Sequence, residues 1–199
     1  MGMTLTELGI NYKTDKAFYH GFTPFYEIAL EHLRLEPMNI LEIGVESGGS
    51  LNMWHHYFGH STIYGFDISD HTHLSKERIH INVGDQSDIE FLSSTYGKIQ
   101  FDIIIDDGSH FMDHQQISLG YLFKLLNPGG YYIIEDLHTS EETPGRELGF
   151  IKPTDSWPVD TTWWQLNNFK DSGEFVSKYI SDREKKYLNK FIDSIELIN

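Results

Sequence analysis

The sequence predicts a single α/β domain with a doubly wound, mostly parallel β-sheet and helices on both faces. Its 199 residues suit one domain, and neither a repeat nor a low-complexity tract divides them. Short apolar runs of strand length alternate with helical patterns through the middle of the chain. Such alternation favours right-handed crossovers and a parallel sheet, and sheets of this kind bind ligands in the crevice at the carboxyl ends of their strands.

Five runs of β-branched and other apolar residues are the predicted strands. They cover residues 38–43, 62–66, 79–83, 101–105 and 131–134. Each run has the length of an ordinary strand. The residues that directly follow each run are therefore the candidate functional residues.

The intervals between these strands carry helical periodicity. The residues that share a helix face are Leu51, Trp54 and Phe58 after the first strand, and Ile117, Tyr121 and Leu125 before the fifth. Residues 127–130 (NPGG) are expected to end the second of these helices.

The two ends of the chain differ from its middle. Residues 22–35 predict an amphipathic helix with an apolar face of Phe25, Ile28, Ala29 and Leu33. Residues 139–160 contain three prolines and no periodicity, which is typical of a long loop, and loops of this length are often lids. Residues 191–198 predict a final strand.

These patterns divide the single domain into four segments. We expect a helical cap at 1–36, a ligand-binding core at 37–138, a lid-like loop at 139–175, and a C-terminal helix and strand at 176–199.

The charge balance excludes several classes of partner. With 15 Lys and Arg against 30 Asp and Glu, the formal net charge is −15, and no basic stripe is present for a nucleic-acid backbone or an anionic membrane. The apolar runs are too short to span a bilayer. The chain has no cysteine and no apolar leader at its start, so we expect a cytoplasmic location.

A glycine-rich turn follows the first strand. It runs from Gly44 to Ser50 and opens onto a helix, whose free N–H groups favour a ligand close to the backbone. Its glycine spacing is not G-x-G-x-x-G, and Glu42 and Glu46 would repel a pyrophosphate. A cationic ligand without phosphate fits this turn better.

The second and third strands also end in polar residues. Asp67 follows the second strand, where a carboxylate can accept hydrogen bonds from both hydroxyls of a ribose. Asp85 and Gln86 follow the third, where they would meet an adenine edge. The alternative for each residue is a helix cap or a turn position.

Four carboxylates follow the predicted strands at residues 101–105 and 131–134, and they indicate a metal site. They belong to Asp106, Asp107, Glu135 and Asp136. Carboxylates packed together repel one another unless a cation compensates, and an oxygen-rich donor set without cysteine favours Mg²⁺. His110, three residues after Asp107, is placed to act as a general base. Alternatively, some of these acids cap helices, and Asp106 points back into the fold.

Together these residues resemble the class I S-adenosylmethionine-dependent methyltransferases, and within them the metal-dependent sugar O-methyltransferases of antibiotic biosynthesis. The resemblance covers most of residues 11–140. It is carried by LEIGVESGGSLNMW, GFDIS, GDQSD, FDIIIDDGSHFMDHQ and LNPGGYYIIEDLHTS. Its most specific part is DDGSH with the later ED pair, in which Glu135 follows Asp107 by 28 positions. It implies a Rossmann-like fold whose sheet ends in an antiparallel hairpin, here incomplete because only residues 191–198 are available for it.

The resemblance also implies roles for individual residues. Asp107, Glu135 and Asp136 would ligate Mg²⁺, and His110, with Asp107, would carry the catalysis. For S-adenosylmethionine, the resemblance implies that Glu42 and Gly44 line the methionine part, that Asp67 holds the ribose, and that Asp85 and Gln86 lie by the adenine. We also expect Ser50 and Asp106 to bind this cofactor. Residues 12–16 (YKTDK), His20 and residues 22–26 (FTPFY) are similar to the family's opening segment, which closes over cofactor and substrate.

We therefore expect a Mg²⁺-assisted O-methyltransferase that acts on a hydroxyl of a sugar or glycosylated natural product. We also expect the protein to form a homo-oligomer, most simply a dimer. Two alternatives stay open. One is methylation of a catechol or other vicinal diol, which would use the same metal geometry. The other is a non-catalytic module that binds S-adenosylmethionine, although such a module has no evident need of His110 beside a metal site.

Overall fold

The computed structural model describes residues 2–137 and 160–198, which form an α/β fold. The helices and strands follow in the order α1 Leu5–Tyr12, α2 Asp15–Phe18, α3 Thr23–Leu30, β1 Asn39–Ile43, α4 Gly49–Tyr57, β2 Thr62–Asp67, β3 Ile79–Val83, α5 Ile89–Tyr96, β4 Phe101–Asp106, α6 Met112–Leu122, β5 Leu126–Ile134, α7 Thr162–Ser172 and α8 Asp182–Phe191. Short 3₁₀ turns cover Glu31–Leu33, Thr72–Leu74 and Phe123–Leu125. All five predicted strands are confirmed, and β5 begins five residues earlier than predicted.

The sheet is parallel throughout, with strand order β3-β2-β1-β4-β5. The order reverses beside β1, where Ile43 is in register with Phe66 of β2 on one side and with Asp106 of β4 on the other. A crevice at the carboxyl ends of the strands is expected at this switch point. The turns that follow β1, β2 and β4 therefore meet there.

Each face of the sheet carries its own apolar cluster. Because side chains alternate along a strand, Ile40 and Ile103 point into one cluster, which α1, α3 and α4 cover. Leu41 and Ile104 point into the other, which α5 and α6 cover. The predicted face of α4 is confirmed, since Leu51, Trp54 and Phe58 are all buried in the first cluster.

The N-terminal helix predicted for residues 22–35 is present as α3 and the following 3₁₀ turn, and the predicted apolar face is half correct. Ala29 and Leu33 pack on the first cluster, but Phe25 and Ile28 are exposed. Tyr26 and Leu30 are buried instead, because α3 packs against α1 in that cluster.

The C-terminal part corrects two further predictions. The lid-like loop expected at 139–175 contains helix α7, which Thr161 caps through the N–H of Trp164 and Gly173 ends in the left-handed region. The rest of that loop, residues 138–159, lies outside the described residues. Leu166 and Phe169 of α7 are buried against α6 and α8 in a third cluster.

The final strand predicted at residues 191–198 is also wrong. Phe191 ends α8, and residues 192–198 pair with no strand among the described residues. Their apolar side chains pack on the third cluster instead, through Ile192, Ile195 and Leu197. Burial against helices, rather than a sheet edge, explains the apolar alternation that resembled a strand.

No helix of the described segments has the length and apolar character needed to cross a bilayer.

Candidate active site

A pocket of about 590 Å³ opens at the switch point of the sheet. Five of the seven residues predicted to bind S-adenosylmethionine line it: Gly44, Ser50, Asp67, Asp85 and Gln86. None of the residues that line it in the described part of the chain is Lys or Arg, whereas several are acidic. The pocket therefore favours a ligand without phosphate groups.

The turn after β1 brings the backbones of two strand ends together. Gly44 has φ +89°, and a Cβ at this position would overlap the carbonyl oxygen of Asp107. The N–H of Asp107 also donates to the carbonyl of Ile43 at 3.0 Å. Only glycine fits this close approach, so Gly44 fixes the pocket floor against the loop that carries Asp107.

Asp67 holds the glycine-rich turn from the neighbouring strand. Its carboxylate accepts hydrogen bonds from the N–H groups of Val45 at 2.9 Å, Glu46 at 3.3 Å and Ser69 at 2.9 Å. Partial burial acts to raise its pKa, but these N–H groups hold the pKa of Asp67 below its ordinary value. Asp67 is therefore an ionised side chain on the pocket wall that also shapes the turn.

Asp85 and Gln86 line the pocket at the end of the neighbouring strand, β3. Asp85 accepts hydrogen bonds from the N–H and the hydroxyl of Ser87, both at 2.8 Å. The Gln86 amide donates to Asp106 and accepts from the N–H of Ser109 at 2.7 Å. Gln86 thus links the turn after β3 to the loop after β4.

Asp106 points back into the fold, the alternative that the sequence left open. It is completely buried and accepts hydrogen bonds from Gln86 at 3.1 Å and from the Ser118 hydroxyl at 2.7 Å. Burial raises the pKa of Asp106 to about 6, although both hydrogen bonds act to lower it. Asp106 lies behind the lining of the pocket and is not among the lining residues.

Asp107, His110 and Asp136 form a compact group, of which Asp107 and His110 line the pocket. One ligand atom from each lies within 4.8 Å of the other two. The His110 Nε2 is 3.9 Å from Asp107 Oδ1 and 3.9 Å from Asp136 Oδ2. His110 and Asp136 have φ of 60° and 52°, a strained conformation that is common at functional sites.

Glu135, the third predicted metal ligand, faces a different cation. The ammonium of Lys16, from α2, lies 3.0 Å from both carboxylate oxygens of Glu135 and contacts Asp107 Oδ2. The Tyr26 hydroxyl donates to Glu135 Oε1. Glu42 completes this group, with its Oε1 3.4 Å from the Lys16 ammonium.

Glu42 is fully buried behind the pocket lining. Its Oε2 accepts hydrogen bonds from the Ser50 hydroxyl at 2.9 Å and from the Trp54 indole N–H at 3.1 Å. Ser50 itself lines the pocket. Glu42 therefore lies behind Ser50, and its predicted contact with the cofactor stays a prediction.

The cluster around Lys16 has an excess of negative charge, with three carboxylates around one ammonium. Burial acts to lower the pKa of Lys16, but Glu135, Glu42 and Asp107 raise it well above its ordinary value. Burial raises the pKa of Glu42 to about 7 and that of Glu135 to about 8, while Lys16 opposes both shifts. A further cation at this edge would favour the ionised carboxylates.

The donor set fits a divalent metal ion. Carboxylate oxygens from Asp107 and Asp136 converge with one imidazole nitrogen, and Mg²⁺ prefers oxygen ligands from one or two carboxylates. The His110 Nδ1 is buried and accepts or donates no hydrogen bond within the described chain, so the ring presents Nε2 to the group. Asp107 and Asp136 are the carboxylates that would hold the ion, and the role of the neighbouring Glu135 as a third ligand stays a prediction.

The roles of Lys16 and Tyr26 in this site were not predicted from the sequence. Both lie in the segments that resemble the family's opening region, which closes over cofactor and substrate, but neither residue was assigned a role there. Lys16 is 91 positions from Asp107 and 119 from Glu135, and a single lysine beside Asp15 has the same local pattern as an exposed one. His20 also approaches the site, with its Nδ1 3.9 Å from Asp136 Oδ1.

Comparisons with known proteins agree with this geometry. No protein-family model matches the chain. It is 41% identical over 170 residues to a demethylmacrocin O-methyltransferase of Streptomyces fradiae, a match that covers 74% of this chain and 42% of that protein. It is also 41% identical over 147 residues to an 8-demethyl-8-(2-methoxy-alpha-L-rhamnosyl)-tetracenomycin-C 3'-O-methyltransferase of Streptomyces olivaceus. This match covers 68% of this chain and 37% of that protein.

A solved structure shares the fold over nearly the whole chain. The methyltransferase MycE of the mycinamycin pathway, in a complex with Mg, SAH and mycinamycin VI, superposes with a TM-score of 0.82 at 34% identity. The match covers 98% of this chain and 52% of MycE. The chain spans less than half the length of the curated relatives and about half the length of MycE. The chain therefore has the class I methyltransferase fold, and its sequence is homologous to the sugar O-methyltransferases of antibiotic biosynthesis.

Proposed function

We propose that this chain carries an S-adenosylmethionine-dependent, Mg²⁺-assisted O-methyltransferase site for a hydroxyl of a sugar or glycoside. One observation carries the proposal: Asp107 and His110 line the pocket at the switch point and also belong to the group that they form with Asp136. A methyl donor in the pocket would thereby face an acceptor at the carboxylate group.

The character of the pocket supports S-adenosylmethionine as the donor. Its acidic lining, which contains no Lys or Arg among residues 2–137 and 160–198, suits a sulfonium cation and an adenosine that lacks phosphate. We assign the ribose hydroxyls to Asp67, whose low pKa keeps it an acceptor at neutral pH. Gly44 and Ser50 would line the methionine part, and Asp85 the adenine side.

The reaction needs a base and a rigid geometry. In the proposed mechanism, His110 Nε2 removes the proton of the reacting hydroxyl, the oxygen forms a bond to the methyl carbon, and the carbon–sulfur bond breaks to release the thioether. Bound Mg²⁺ would lower the pKa of that hydroxyl and orient it. The left-handed backbone at His110 holds the imidazole toward Asp107 and Asp136, so positioning contributes much of the acceleration.

The sugar acceptor rests on the relatives, whose names include sugar hydroxyls among their methylation sites. We assign this chain the same acceptor class, a small-molecule glycoside with a hydroxyl beside the reacting one. The predicted homodimer, the absence of a nucleic-acid or membrane partner and the cytoplasmic location stay predictions.

The experiment is transfer of a labelled methyl group from S-adenosylmethionine to glycosides with vicinal hydroxyls, with catechol as the competing acceptor class. We expect turnover of glycosides that needs Mg²⁺, and loss of nearly all turnover in His110→Ala with donor affinity retained. His60→Ala is the matched control, since His60 is exposed and precedes β2 at the opposite end of the sheet. Turnover of catechol alone would replace the acceptor class, and donor binding without any turnover would favour the binding module.

A further inference from the structure

The buried ammonium of Lys16 is the least expected feature of the site. The Lys16 side chain is 1% exposed, and burial of an ammonium costs several kcal/mol unless the ion is paired. Its partners are the carboxylates of Glu42, Asp107 and Glu135. Two of these belong to the residues that would hold the metal ion.

The contacts of Lys16 fix how these two carboxylates are turned. Lys16 engages Asp107 through Oδ2, which leaves Oδ1 directed to the His110 side of the group, 3.9 Å from Nε2. It lies 3.0 Å from both oxygens of Glu135, and the Tyr26 hydroxyl holds Oε1 of the same carboxylate. Lys16 belongs to α2 and Tyr26 to α3, whereas Asp107 follows β4 and Glu135 follows β5. These contacts therefore join the N-terminal helices to the ends of two strands.

The same ammonium limits repulsion within the cluster. Without it, Glu42, Asp107 and Glu135 would lie close together in a buried place with no neutralising charge of their own. Such carboxylates turn away from one another, and they then become poorer ligands, because a metal ion needs correctly oriented groups.

We propose that Lys16 is a positioning residue for the divalent cation, and that it holds the carboxylates of Asp107 and Glu135 in their orientation with the help of Tyr26. This inference rests on the function proposed above. Residues that orient metal ligands typically change metal affinity by roughly 10- to 100-fold when they are replaced. The expected effect of losing Lys16 is of that size.

The test is a calorimetric titration of the whole chain with MgCl₂. We expect Lys16→Met to bind Mg²⁺ roughly 10- to 100-fold more weakly than the wild type, and Lys16→Arg to recover part of the affinity because it keeps the charge and the donors. Lys98→Met is the matched control: it makes the same change at an exposed site before β4, at the far end of the sheet. Thermal unfolding of each variant shows that it is folded at the titration temperature.

A second variant tests the same role without a change of charge. Tyr26→Phe removes one hydrogen bond to Glu135 and keeps the packed ring, so it should fold even if Lys16→Met does not. It should weaken Mg²⁺ binding roughly three- to tenfold, the effect of one hydrogen bond. If the Mg²⁺ affinity of Tyr26→Phe is unchanged, Tyr26 has no part in positioning the metal ligands. If Lys16→Met also fails to fold, that result overturns the whole inference.

The outcomes separate the two proposals. If the folded Lys16→Met chain binds Mg²⁺ as tightly as the wild type, or more tightly, the role of Lys16 is overturned while the proposed function stands. If the wild type itself binds no Mg²⁺ at millimolar concentration, the metal part of the proposed function fails and this inference fails with it.

Discussion

Backbone conformations that are unfavourable for most residues collect at the pocket. Gly44, Glu46, His110 and Asp136 all have φ between +46° and +89°. A left-handed conformation costs about 1–2 kcal/mol at a residue with a side chain. That three residues with side chains adopt it here indicates that the surrounding contacts hold these turns in place.

Gly44 should be the glycine most sensitive to substitution. Gly44→Ala adds a Cβ that overlaps the Asp107 carbonyl oxygen, so we expect a loss of at least about 3 kcal/mol in unfolding free energy, from backbone strain and overpacking together. Gly173→Ala is the control: it has φ +73° but nothing within 4 Å, and should cost only about 1 kcal/mol. Equal losses in urea unfolding would show that the close approach is not rigid.

The carboxylate of Asp67 should make stability depend on pH in a defined direction. Its pKa is lowered in the folded state, so its contribution is fully present above the ordinary aspartate value of about 4 and disappears as the pH falls through the folded pKa. The Asp67→Asn variant should therefore be less stable than the wild type at pH 7, and the difference should shrink below pH 4. Urea unfolding at both pH values measures this, with the exposed Asp193→Asn as the control for a change of one charge.

At the scale of elements, the described chain ends in helix α8 and an irregular tail, and not in the strand predicted at residues 191–198. Helix α8 begins with a capping box of Ser181 and Glu184 and places Leu188 in the third cluster. Its other positions are mostly polar, so a single apolar side chain carries much of its attachment to α6 and α7. Apolar burial at such a point contributes several kcal/mol.

Leu188→Ala should test this attachment. The side chain is completely buried, so we expect a loss of about 2–5 kcal/mol in unfolding free energy. Lys186→Ala, on the exposed side of the same helix, should change stability by less than about 0.5 kcal/mol. A loss below 1 kcal/mol for Leu188→Ala would mean that α8 is not anchored as the structure shows.

At the scale of the whole molecule, we expect cations to change the stability of the fold in two ways, because the net charge is −15. Salt screens the general repulsion among surface acids. A bound divalent ion instead stabilises the fold according to its concentration relative to its dissociation constant. Screening depends only on ionic strength, whereas binding depends on which ion is present. A comparison of two salts at one ionic strength therefore separates them.

Removal of divalent ions should lower the melting temperature. At 100 times the dissociation constant, Mg²⁺ would add about 2.7 kcal/mol, which corresponds to roughly 5–10 °C for a chain of this size. NaCl of matched ionic strength should produce a smaller shift, and Asp107→Asn should lose the Mg²⁺ response while it keeps the NaCl response. An identical shift with both salts would mean that Mg²⁺ acts only by screening.

The parts of the fold with local signals could be predicted from the sequence. The five strands, the buried face of α4 and the residues at the strand ends follow from periodicity and from the direction of parallel strands. The exposed face of α3, helix α7 and the tail after Phe191 could not, because their positions depend on which surfaces the sheet leaves free. Thr, Trp and Asn, which favour helices weakly, also concealed α7.

The sequence by itself determined that acidic and polar residues stand at the carboxyl ends of the strands, because the apolar runs and the turns that follow them are encoded locally. Only the tertiary structure decided how these acids divide: Asp106 turns inward to Gln86 and Ser118, while Asp107 and Asp136 meet His110. It also decided that Lys16 belongs among them. The physical reason is that packing selects the partner of a buried carboxylate: Gln86 and Ser118 reach Asp106 from other elements, and Lys16 reaches Asp107 and Glu135 from a helix more than 90 residues away along the chain.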